Sequence, residues 1–124
     1  MLRHIIVHGF LALALALPAA ANGRVDVAAC KAMRAALVPR QAEIAELTDR
    51  RAASAALVED RGEAWEDAEI HRLVSPSLAG TADELKAGFE HARGQLARDD
   101  LALQSAVSAF NADVAGYNSR CTRG

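Results

Sequence analysis

Three observations predict an all-α fold, an antiparallel hairpin of two long, coiled-coil-like helices. Ala, Leu, Glu and Arg dominate the chain, all strong helix formers. No segment sustains the period-2 alternation of β-branched or aromatic residues that marks a strand. Apolar residues of the second half recur in alternating steps of four and three, the spacing of a helical seam. The chain has 124 residues, 52% hydrophobic but only 4% aromatic, so the apolar excess is mostly alanine.

The first segment reads as a cleaved signal peptide, residues 1–21. Arg3 and His4 are basic, Ile5 to Leu17 is an apolar stretch interrupted by His8 and Gly9, and Pro18 breaks its helix. Ala19-Ala20-Ala21 supplies small residues for cleavage, which leaves Asn22 as the new N-terminus. The apolar run is short of the roughly 20 residues that span a bilayer, which disfavours an uncleaved anchor. Val27-Ala28-Ala29-Cys30 has the outline of a lipobox, but Arg24 and Asp26 place charge where the peptidase reads apolar sequence. The expected product is a periplasmic or secreted protein, residues 22–124, forming a single helical domain with no stable membrane insertion.

Asp26 is positioned to cap the first helix, which carries Val27, Cys30, Met33 and Leu37. Pro39 either kinks that helix or opens a new one. Beyond it Ile44, Leu47, Arg51, Ser54, Val58, Arg61 and Trp65 fall near a heptad seam. One segment from Asp26 to Leu73, bent at Pro39, is expected. The alternative is a small bundle of three or four helices broken at Pro39 and Gly62.

Val74-Ser75-Pro76-Ser77-Leu78-Ala79-Gly80 is a loop signature that places the turn near Ser75-Pro76. Thr81 with Glu84 three residues later forms a capping box, which predicts a second helix from about Ala82 to about Ser119. That helix is roughly 57 Å long at 1.5 Å per residue. Its seam runs Leu85, Phe89, Ala92, Leu96, Leu103, Val107, Phe110, Val114, Tyr117 and Cys121, with one polar gap at Asp99-Asp100.

Cys30 and Cys121 are the two cysteines, and an even count in an exported chain predicts a disulfide. In an antiparallel hairpin, facing residues carry numbers that add to a constant. The cysteine pair makes that constant 151, and its midpoint falls between Ser75 and Pro76, inside the loop chosen from composition alone. The same rule brings Leu37 to Val114, Ile44 to Val107, Leu47 to Leu103, Arg61 to Glu90, and Trp65 to Leu85 and Phe89. It also pairs Arg51 with Asp99 or Asp100, a polar contact that would specify register more than it stabilises.

The formal net charge is −2, and loss of Arg3 with the signal peptide makes it −3. With no basic block, the chain lacks the positive footprint of a nucleic-acid binder. No phosphate loop, nucleophile elbow or CxxC is present, and no catalytic residue stands out, so no enzymatic activity and no cofactor are expected. His71 and His91 fall about 11 residues apart along the hairpin, roughly 16 Å at helical rise, too far to share a metal ion. Glu59, Asp60, Glu63, Glu66, Asp67 and Glu69 form an acidic stretch suited to solvent or to a basic partner. Glu46 to Arg51 matches the first two positions of the L-T-x-x-Q repeat of small helical periplasmic stress chaperones, at Leu47 and Thr48. Arg51 stands where the motif has Gln, there is no second copy, and no family is assigned from it.

An Ala-rich hairpin buries little apolar area by itself, and small domains need a staple or a partner. The expected function is that of an exported structural or interaction protein that self-associates or binds a protein partner. The alternative is a chaperone-like or small-ligand-binding helical protein.

Overall fold

The computed structural model describes residues 25–122. The expected signal segment, with its expected cleavage site at Ala19, Ala21 and Asn22, lies outside the described residues. Asp26 caps the first helix as expected, its Oδ1 accepting a hydrogen bond of 3.1 Å from the Ala29 backbone N–H. From there α1 runs unbroken over Val27–Val74, 48 residues. A 3-10 turn at Pro76–Leu78 leads into α2, Ala79–Cys121, 43 residues. The two helices pack against each other along their length, and no strand occurs among the described residues.

The first helix is one continuous segment as expected, the breaks at Pro39 and Gly62 that the alternative required are absent, and the bundle of shorter helices gives way to the hairpin. Pro39 removes one N–H and leaves the Ala35 carbonyl without its helical partner. Both residues are exposed, so the carbonyl is open to solvent and its lost bond is not a buried one. Gly62 has a packing role instead. A Cβ there would meet Phe89 Cε2 at 3.3 Å, so the bare backbone makes room for the ring.

The turn differs from expectation in its cap. Thr81 is exposed and inside α2, and the capping box is not used. Pro76, with its fixed φ, occupies the first position of the 3-10 turn, and that turn winds directly into α2 two residues before Thr81. Ser75 closes α1, its N–H donating to the His71 carbonyl at 3.0 Å.

The open end is stapled by Cys30–Cys121, with Cα atoms 5.6 Å apart across 91 residues of sequence. Among the described residues the buried apolar side chains are Leu47, Ala82 and Ala92. Larger seam residues such as Leu37, Ile44, Leu103, Phe110 and Tyr117 are only half-buried. Two helices can cover one stripe of each other and no more. No described helix is long and apolar enough to cross a membrane.

Candidate functional site

Midway along the hairpin the apolar seam gives way to a polar layer. Arg51 Nε donates to Asp100 Oδ1 at 2.6 Å, the pairing that the facing rule requires. Both side chains keep more than a third of their surface in water, so the pair sets register more than stability. Beside it Asp99 is buried, with only 4% of its surface exposed. The Ser54 hydroxyl donates to Asp99 Oδ2 and the Gln95 amide to Oδ1 at 3.2 Å. The Ser54 bond holds the Asp99 carboxyl below its ordinary pKa against the upward push of burial, and Gln95 and the charges of Arg50 and Arg98 act in the same sense as Ser54. No described buried side-chain polar atom lacks a partner. The layer's buried polar atoms are thus all partnered, and its cross-helix contacts fix the register of the hairpin.

Between this layer and the turn lies an aromatic cluster. Trp65 stacks on Phe89 with ring centroids 5.3 Å apart, and the Lys86 ammonium sits 5.7 Å from the Trp65 ring centroid. The Trp65 indole N–H donates to Glu69 Oε1 at 3.1 Å. Glu69 also accepts from Arg72 at 2.6 Å, and Arg72 reaches Asp83 of α2 at 3.3 Å. Arg61 reaches the stretch of α2 beside Glu90 without forming an ion pair with it. Its guanidinium lies 3.6 Å from where a Gly88 Cβ would stand, and Glu90 pairs with Arg93 of its own helix at 3.5 Å. The three-residue spacing on one helix holds Arg93 within reach without crossing the seam.

Two open grooves lie along the hairpin among the described residues. The larger, about 350 Å³, lies near the disulfide between Met33, Leu37, Asp113, Gly116 and Arg120. The smaller, about 220 Å³, lies near the turn between Asp67, His71, Leu78, Thr81 and Leu85. His71 and His91 are both exposed, and His71 Nδ1 lies 2.8 Å from the Asp67 carbonyl. No three metal-ligating side chains converge among the described residues. Asn111 and Asn118 are exposed, each following a half-buried aromatic of the seam, Phe110 and Tyr117.

The most unusual surface is the flank of α1 turned away from α2. Val27, Val38, Ile70, Leu73 and Val74 are large apolar side chains of α1 exposed by 63% or more. Compared with protein-family models, with curated proteins and with solved structures, the chain matches none. The candidate site therefore rests on this surface alone.

Proposed function

We propose that this chain is an exported interaction protein whose hairpin works in association with a second copy, as half of a helical bundle. The observation that carries this reading is the imbalance between the core and the exposed flank. Only three apolar residues are buried among the described ones, while five large apolar side chains of α1 are exposed by 63% or more. A small helical domain with so thin a core gains stability by covering such surface, and two hairpins form a four-helix bundle by doing so. The disulfide supports the exported half of the reading, since such bonds persist in oxidising compartments.

Sedimentation velocity across a concentration series tests it. The expected result is a concentration-dependent shift from one hairpin to two. A stably folded monomer at every concentration would overturn it. A chaperone-like or ligand-binding role is the second reading, favoured by the groove near the disulfide. Native monomer that binds a hydrophobic dye would support that role instead.

A further inference from the structure

We infer that the groove beside the disulfide is a binding site for a single-chain carboxylate. Its apolar tail lies along Leu37 and Met33, and its carboxylate rests on the Arg120 guanidinium. The inference goes beyond self-association and rests on the second reading above, a ligand-binding role, to which it gives a site and a ligand class.

The walls come from both helices. Met33, Ala36 and Leu37 of α1 lie opposite Ala112 and Gly116 of α2, around about 350 Å³ of open space. Small-molecule sites are of this size, mostly apolar with a few placed polar groups. Met33, Leu37 and Gly116 are half-buried, so the floor is partly shielded from water. Gly116 sets the depth. It lies inside α2, where glycine is a poor helix former. A Cβ there would meet only the Met33 methyl, at 3.9 Å. Packing within the hairpin therefore does not require glycine, and the missing side chain is left as space in the groove.

The polar groups at the two ends differ. Asp113 is already matched by Arg40 of α1, 3.4 Å away. Arg120 lines the other end, about 10 Å further along α2 and next to the stapled Cys121. It enters none of the ion pairs among the described residues. Its guanidinium presents a planar fork of donors that matches a carboxylate. The surroundings carry the same sign. Over residues 27–42 and 101–121 the charged side chains are Lys31, Arg34, Arg40 and Arg120 against Asp113 alone. A chain that is acidic overall is thus basic at this end, which draws anions to it. An apolar floor with one unmatched cation at its end fits an anion with one apolar tail. A cationic amphiphile would meet Arg120 as a like charge.

Met1 and Met33 are the two methionines of the chain, so an isotopically labelled Met33 methyl reads the groove floor directly. Titration of the protein with octanoate should shift that resonance saturably. Octanol, with the same tail and no charge, should bind about tenfold more weakly, the change expected for losing a charge-assisted hydrogen bond at an exposed site. Arg120→Gln should weaken octanoate about tenfold and leave octanol unchanged, and Arg120→Lys should keep the preference for the anion. Gly116→Leu should fill the groove and abolish both shifts, with helicity by circular dichroism retained. Octanoate and octanol binding alike, or octanoate indifferent to Arg120→Gln or to Gly116→Leu, would overturn the carboxylate site and leave an apolar ligand-binding role standing. A Met33 methyl that neither compound moves would overturn both. Sedimentation of the ligand-free protein decides self-association separately.

Discussion

Among the described residues Asp99 is the charged side chain that the hairpin buries, and its partners set how it responds to acid. Its carboxyl is held below the ordinary range near 4, chiefly by the Ser54 hydroxyl. A carboxylate whose folded pKa is depressed contributes stability above its unfolded pKa and loses it as pH falls through the folded value. The contribution is therefore full at neutral pH and lost in acid, below about 4. Asp99→Asn removes the titration while keeping the shape. We expect the variant to lose less stability than wild type between pH 7 and pH 3, read as the shift in urea midpoint. Equal shifts in both proteins would refute this. At this scale the sequence was legible where charge met a constraint. Arg51 and Asp100 are opposite charges at positions that the cysteine pair makes face each other. Ser54 was visible as a seam residue and Asp99 as a candidate partner of Arg51, but a serine accepts so many partners that nothing joined the two in advance.

At the scale of the helices, glycine and proline decide what is tolerated. Gly62 and Pro39 look alike as helix breakers, yet neither breaks α1. Pro39 loses one bond on a wet flank, and Gly62 admits the Phe89 ring. That admission was illegible because it depends on an aromatic residue from the other helix. Thr81 and Glu84 misled for the opposite reason. Their capping box is a local preference of about 1 kcal/mol, and Pro76 starts the helical winding before it applies. Gly116 has no such excuse for being glycine. A Cβ there would lie 3.9 Å from the Met33 methyl, ordinary contact distance, and the backbone is helical. We expect Gly116→Ala to stabilise the hairpin by about 1 kcal/mol from helix propensity, measured by urea denaturation. A loss of stability would show that the groove at the disulfide end needs the open space.

For the whole molecule, the hairpin was legible because three signals agreed: helix-forming composition, a central loop, and cysteines whose midpoint falls in that loop. The outward flank of α1 was not, because exposed acidic and apolar residues become meaningful only once α2 has taken the other face. With so few residues buried, the Cys30–Cys121 bond carries much of the stability. Closing a loop of this length contributes about 4–5 kcal/mol on the chain-entropy argument. We expect Cys30→Ser with Cys121→Ser to lower the urea midpoint by that equivalent, with helicity reduced at 37 °C. A midpoint within error of wild type would contradict it.

The same staple closes residues 30–121 into a ring. Each rod is tethered to the other twice, by peptide at one extremity and by sulphur at its opposite. A protease that nicks the Ser75–Ser77 bend thus separates nothing. The severed halves stay registered side by side until a reductant arrives, so losing the molecule takes two different injuries.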